Sequence, residues 1–391
     1  MPEAFIVSAK RTPGGRRNGR LAGIHPADLG ATILDAIIAE TGVDPATIDD
    51  VIIGCVSQIG EQTFALGRNV VLASSLPDSV PAVTIDRQCG SSQQALHFAA
   101  QAVMSGTQDL VIAGGVESMS RVHMGSPVAL AAKAGMGGSP FSAKILERYG
   151  VEGFSQFTGA QMIADKYGFD RAAMDAYALE SHRKAVAARA SGAFAAEIVP
   201  VTTIDADGKS VVHDHDEGVR ADASLESIGS VKLLSEKGTL SAATASQICD
   251  GASGVLVASA EAVRTHGLTP LARIHNLTVT AGDPVIMLEE PISATRRALQ
   301  RAGMTLDQID LFEVNEAFAS IPMAWLSALG ADPARLNVNG GAIALGHPLG
   351  ATGTKLMATL VHALHARGGR YGLQTMCEGG GIANVTIVER V

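Results

Sequence analysis

Three observations predict an α/β fold built from two similar halves. One helix-turn-strand unit is written twice, both copies continue with the same kinds of segment, and helical and strand patterns alternate throughout.

Taken in order, "MPEAFIVSAKRTPGGRRNGR" places an apolar, strand-like run before its basic residues, the reverse of a secretion signal. Residues 31–53, "ATILDAIIAETGVDPATIDDVII", then match residues 292–314, "ISATRRALQRAGMTLDQIDLFEV". Gly42 and Gly303, Ile48 and Ile309, and Asp49 and Asp310 all stand 261 positions apart. Each copy continues with a strand, a glycine-bounded polar loop, a helix and a strand that ends in glycines, over 83–118 and again over 336–381. Residues 119–245 change character, with Gly/Met/Ser-rich text before the helical periodicity of "GAQMIADKYGFDRAAMDAYALESHRKAVAARA", and read as an insertion. The expected domains are 1–118 with 246–270, the inserted 119–245, and 271–391.

With 391 residues, 47% of them hydrophobic and 18% charged, the chain can bury a sizeable core. Its formal charge of −9 argues against a nucleic-acid partner, because a phosphate backbone demands a basic face. No apolar run approaches the roughly 20 residues of a spanning helix, so no membrane role is expected. The cysteines at 55, 89, 249 and 377 lack disulfide-framework spacing and suit a reducing, cytoplasmic setting.

The loop "DRQCGSSQQA" (86–95) puts Cys89 between a strand ending near Ile85 and a helix whose Leu96, Ala99, Ala100 and Val103 share one face. Unpaired N–H groups and the helix dipole favour an anion there, so a lowered thiol pKa is expected, with Ser91 and Ser92 as caps. The competing reading is a small buried hydrophobe.

Three further loops could meet it. "GGAIALGHPLGATGTK" (340–355) displays His347 from the extended residue before a proline, as base or oxyanion donor, or else forms a glycine-rich phosphate turn. "CEGGG" (377–381) puts Cys377 at a strand end, before glycines whose backbone can offer N–H donors at Gly379. "LFEVNEAFASIP" (311–322) places Asn315 to hold a water or carbonyl oxygen and Glu316 to orient His347. In open α/β sheets, active sites gather at such strand ends. "HDHDEG" (213–218) reads as a solvated loop, and no metal site is expected. Cys55 reads as core and Cys249 as packed near the ligand channel.

At Cys89 in "CGSSQQA", "NEAFA" (315–319), "NGGAIALGHPLGATG" (339–353) and "CEGGG", the chain resembles the thiolase family over essentially its whole length. The resemblance implies a five-layered α/β/α/β/α fold, an inserted loop domain that binds CoA, and homodimers or homotetramers. It also implies an acyltransferase of fatty acid metabolism that cleaves 3-ketoacyl-CoA, or condenses acyl groups in reverse, through an acyl-Cys89 intermediate. His347 would generate the thiolate and Cys377 would protonate the departing acetyl-CoA carbanion. Asn315 would hold a water, and the N–H groups of Cys89 and Gly379 would receive the oxyanion. Arg220 and Ser246 would contact CoA, a co-substrate, with no tightly bound cofactor. Gln247 and Cys249 stand where many members have Gly and Asn, which points to acyl groups bulkier than acetyl. A decarboxylating ketoacyl synthase is disfavoured by Cys377, and a non-catalytic acyl-CoA carrier or scaffold by the retention of Cys89, His347 and Cys377 together.

Overall fold

The computed structural model describes residues 2–205 and 207–391. The chain opens with β1 (Ala4–Arg11), the short β2 (Gly15–Arg16), α1 (Pro26–Thr41), β3 (Asp50–Gly54), α2 (Leu66–Ala73), β4 (Ala82–Ile85), α3 (Ser91–Ser105) and β5 (Leu110–Ser118). An excursion follows through α4 (Ser126–Lys133), α5 (Ala143–Tyr149), α6 (Gln156–Tyr167), α7 (Arg171–Ala190), the hairpin β6 (Val201–Ile204) and β7 (Ser210–His213), and α8 (Leu225–Gly229). The chain returns with β8 (Cys249–Ser259), α9 (Ala260–Thr265), β9 (Ala272–Ala281), α10 (Pro291–Ala302), β10 (Leu311–Val314), α11 (Ser320–Leu329), α12 (Ala342–Leu345), α13 (Thr352–Arg367), β11 (Tyr371–Glu378) and β12 (Ile382–Arg390).

The doubled unit folds twice in the same way. α1 stops at Gly42 and α10 at Gly303, both at φ 65° in the left-handed region that costs glycine nothing. Asp49 then accepts from the N–H groups of Asp109 and Leu110 at 2.7 and 2.9 Å, which fixes the start of β5. Asp310 accepts from those of Arg370 and Tyr371 at 2.6 and 2.8 Å, which fixes the start of β11.

Ten strands form one hydrogen-bonded sheet in the order β10-β11-β12-β9-β1-β8-β5-β3-β4, with β2 beside β8. Its halves meet at a narrow seam where Phe5 and Ile6 of β1 pair with Arg273 and Ala272 of β9. Strand alternation then sorts side chains to the two faces. Ile112 and Leu256 pack outward with α1, while Val111, Ala113, Val255 and Val257 pack inward onto α3. The inner core also takes Leu311 and Val388 from the second half and Met357, Leu360 and Val361 from α13, so α3 and α13 lie between the half-sheets. On the far side, Phe312, Val314 and Val385 pack against Ala294 of α10 and Ile321 and Trp325 of α11. The sequence of layers is helix, sheet, helix, sheet, helix.

The excursion shares this outer core: Ala160 and Ile163 of α6 and Met174 and Ala178 of α7 are buried in it. Among the described residues, no helix is long and apolar enough to cross a membrane.

α3 and α13 approach so closely that a Cβ on Gly353 would overlap the backbone nitrogen of Gln93. Gly353→Ala is therefore expected to cost about 1–3 kcal/mol through overpacking, read as a lower urea midpoint. An unchanged midpoint would refute this packing.

Candidate active site

β4 delivers the chain to the cysteine loop. Gln88 takes φ 49°, a left-handed conformation that costs a non-glycine residue about 1–2 kcal/mol. Asp86 offsets this strain by accepting from the Gln88 N–H at 2.6 Å and from its side-chain amide at 3.3 Å. Cys89 follows, with Gly90 as the N-cap of α3.

Two expectations fail here. Ser91 and Ser92 are not caps: the Ser91 hydroxyl accepts from Arg87 N–H and donates to the Gln88 carbonyl, while Ser92 accepts from Thr354 N–H at 3.0 Å and ties α3 to α13. The Cys89 thiol is not acidified either. Burial first, and Glu378 second once it is ionised, push it up to about 12, outweighing the helix dipole.

Cys377, the next-to-last residue of β11, is fully buried, and its thiol is pushed well up by burial and then by the charge of Cys89, which marks the two sulfurs as neighbours. Gly379 borders the same loop, since a Cβ there would stand 3.0 Å from Gln88 Oε1.

His347 lies on the turn between α12 and α13, buried, with Nδ1 2.6 Å from Thr352 Oγ1. That hydroxyl donates to the Pro348 carbonyl at 2.9 Å, so it receives the Nδ1 proton, and Nε2 keeps its lone pair. Asn315 Nδ2 faces Nε2 at 3.4 Å. The backbone N–H of Asn315 donates to Thr375 of β11 at 3.1 Å, which places imidazole and amide beside the Cys377 strand. Asn315 Oδ1 is buried without a hydrogen-bond partner among the described residues, a waiting acceptor. Burial, reinforced by Lys355, lowers His347 to about 3.

Glu316 does not orient His347. Its Oε1 accepts from Tyr177 and Asn337 at 3.0 Å each, and its Oε2 from Ser181 Oγ at 2.7 Å and Ile343 N–H at 3.1 Å. It anchors the short α12 instead, and Thr352 holds the imidazole.

A cavity of about 620 Å³ reaches His347 and Leu349. Met119, Met124, Phe157, Leu234 and Phe318 supply apolar wall, while Arg16, Arg17 and Arg220 outnumber Glu217 and Asp222 in the lining of a protein of net −9. Ser246 also lines it, whereas the two cysteines are not part of its wall. Cys249 is not in the wall either: a Cβ on Gly346 would stand 2.6 Å from its sulfur, so it packs behind the His347 turn. The "HDHDEG" segment is not simply solvated, because Asp216 is buried in a bidentate pair with Arg11 at 2.8 and 3.0 Å. Sequence reasoning missed Arg16, Arg17, Thr352 and two buried carboxyls, Glu117 and Glu378. The carboxyls were signalled by the same spacing of 261 positions.

Comparison with known proteins shows the family. The thiolase N-terminal domain family matches residues 4–261 and the thiolase C-terminal domain family residues 268–390. A steroid 3-ketoacyl-CoA thiolase of Mycobacterium tuberculosis is 52% identical over 392 aligned positions, covering 100% of this chain and 95% of the relative. A beta-ketoadipyl-CoA thiolase of Acinetobacter baylyi is 42% identical with full coverage of both chains. The crystal structure of human mitochondrial 3-ketoacyl-CoA thiolase superposes with a TM-score of 0.89 at 34% identity, covering 100% of this chain and 99% of that one.

The buried histidines fix a pH response. His347 and His97, which bonds Thr386 Oγ1 at 2.8 Å, are each lowered to about 3, chiefly by burial. An unfolded histidine titrates near 6.5, so between about pH 6.5 and 3 the unfolded chain binds protons that the folded chain refuses. Stability is present above this window and falls as pH falls through it, by up to about 1.4 kcal/mol per pH unit per histidine. Denaturant titrations should show a shallower acid slope for His97→Gln than for the parent protein, and equal slopes would contradict the assignment.

Proposed function

Because the chain belongs to the thiolase family, we propose that Cys89, His347, Cys377 and Asn315 carry out the acyl transfer typical of that family. The protein is a CoA-dependent acyltransferase that cleaves 3-ketoacyl-CoA thiolytically. In the proposed sequence, His347 Nε2 takes the Cys89 proton and the thiolate attacks the 3-keto carbon. The bond between that carbon and C2 then breaks, leaving an acyl-Cys89 thioester. Cys377 gives its proton to the departing acetyl-CoA carbanion, becomes a thiolate, and takes the proton of an incoming CoA thiol. That CoA attacks the acyl-Cys89, and the released sulfur recovers its proton from His347.

The observation that carries this reading is the single tautomer open to His347. Thr352 accepts at Nδ1, so the basic nitrogen faces Asn315 on the side of the cysteine strand. Burial raises the thiol and lowers the imidazole, so Cys89 keeps its proton at rest and the proposed ion pair awaits substrate. The thioester oxygen would be held near Nε2 and Asn315, and the tetrahedral oxygen by the N–H groups of Cys89 and Gly379. Arg220, Ser246, Arg16 and Arg17 would receive the CoA moiety in the 620 Å³ cavity.

The acyl group is read as bulkier than acetyl. A second cavity of about 460 Å³ shares Phe157 and Leu234 with the first and adds Leu240 and Gln161, which leaves volume for a large hydrophobic tail. The printed name of the 52% identical relative, a steroid thiolase, supports the same reading. A homodimer or homotetramer in the cytoplasm is the setting proposed. The open edge strand β4 and Phe64, 87% exposed, support association.

Cys89→Ala is expected to abolish CoA-dependent cleavage, while Cys377→Ala still forms the acyl-enzyme, detected by intact-protein mass after incubation with 3-ketoacyl-CoA. Normal turnover by the Cys89→Ala protein would overturn the mechanism. Across substrates from four carbons to a steroid side chain, kcat/KM should favour the bulky members, and Ser235→Trp, in the wall of the second cavity but not the first, should lower it for those while sparing acetoacetyl-CoA. Preference for acetoacetyl-CoA by the parent protein would reject the substrate reading.

A further inference from the structure

One polar group beside the sulfurs has no place in that mechanism. Glu378 ends β11 directly after Cys377, is fully buried, and leaves both carboxyl oxygens without a hydrogen-bond partner among the described residues. Its carboxyl packs against Gly90, where any Cβ would overlap it, and so lies immediately behind Cys89. Strand alternation turns Cys377 and Glu378 to opposite faces, so the carboxyl looks into the central helical layer from behind the nucleophile. Its counterpart in the first half, Glu117, is also buried but fully engaged, accepting from Val56 and Gly350 N–H at 2.9 Å each and Ser57 N–H at 3.0 Å. The second copy has kept the acid and lost most of its donors: the Asn384 N–H still lowers its pKa but does not reach full hydrogen-bond geometry.

A buried carboxylate with so little donor support is strongly disfavoured, so the group stays protonated where its twin is held by several hydrogen bonds. The surrounding charged and titratable groups do not reverse this. Asp86, Arg87 and Cys89 come from the cysteine loop, His97 from α3, Glu117 from β5 and Cys377 from β11. Arg87 is the one cation among them, it does not reach salt-bridge distance, and its own Nε is buried without a partner. Burial raises the Glu378 carboxyl to about 8, with Arg87 and the Asn384 N–H opposing.

We propose that Glu378 is a charge gate on the nucleophile: uncharged behind Cys89 in the resting enzyme, it permits the thiolate, and once ionised it suppresses it. The gate acts through Cys89 and so rests on the assignment of Cys89 as nucleophile. It is a positioning residue, defined by charge rather than by contact with substrate. Its consequence is an alkaline limit on acylation, set by a carboxyl rather than by an amine or a thiol.

The test is the pH dependence of Cys89 alkylation by iodoacetamide, followed by peptide mass spectrometry to separate Cys89 from Cys55, Cys249 and Cys377. In Glu378→Gln, which keeps shape but not charge, Cys89 should alkylate about tenfold faster above pH 8, the equivalent of one pKa unit. Its turnover should also persist where that of the parent protein declines. Coincident alkylation profiles in a Glu378→Gln protein of unchanged melting temperature would overturn the gate. Should that variant fail to fold, infrared spectroscopy of the parent protein decides. A protonated-carboxyl band at pH 7 that is lost above pH 8 supports the gate, and its absence at pH 7 overturns it. Turnover that survives complete Cys89 alkylation would instead remove the nucleophile assignment, whatever Glu378 does.

Discussion

Everything at the site depends on backbone meeting backbone where no side chain could fit. A Cβ on Gly54 would stand 2.6 Å from Ser92 N and 2.7 Å from Gly350 O, and one on Gly350 would stand 2.6 Å from the Cα of Cys55. At these glycines the ends of β3 and β5 touch the first turns of α3 and α13 directly. Glu117 fastens the junction by bonding the N–H groups of Val56 and Gly350 together. The loop that carries Cys89 and the loop that carries His347 are thereby held at one separation by main chain and hydrogen bonds.

This dry junction governs the chemistry. Desolvation drives the thiols up and the imidazole down, so neither partner is charged before substrate arrives. A reactive thiolate exposed continuously to solvent would be open to oxidation. In the proposed mechanism its formation is tied to the ligand that stabilises it, and the protein contributes a fixed tautomer and an unfilled acceptor rather than a pre-formed ion pair.

What was legible in the sequence was local or repeated. Gly42 and Gly303 cap their helices by their own backbone angles, and Asp49 and Asp310 reach strand starts at equal spacing, so the doubled unit could be read directly. The candidate residues were legible as strand-end loops. What failed depended on partners distant in the chain. Glu316 is bound by Tyr177 and Ser181, more than 130 residues earlier. The direction of the Cys89 shift was also hidden, because a helix N-terminus can be read from sequence while the burial and carboxyl that overrule it cannot. Asp216 looked solvated until Arg11, more than 200 positions away, was seen to enclose it.

The shared middle layer has a consequence for how this molecule comes apart. Its inner apolar residues are contributed by both copies at once, with Ile52 and Val111 on one side and Leu311 and Val388 on the other, around α3 and α13. Neither copy alone encloses a complete interior, so duplication has removed the autonomy of each. Opening either copy then exposes the inner face of the other, which couples the loss of one to the loss of the other.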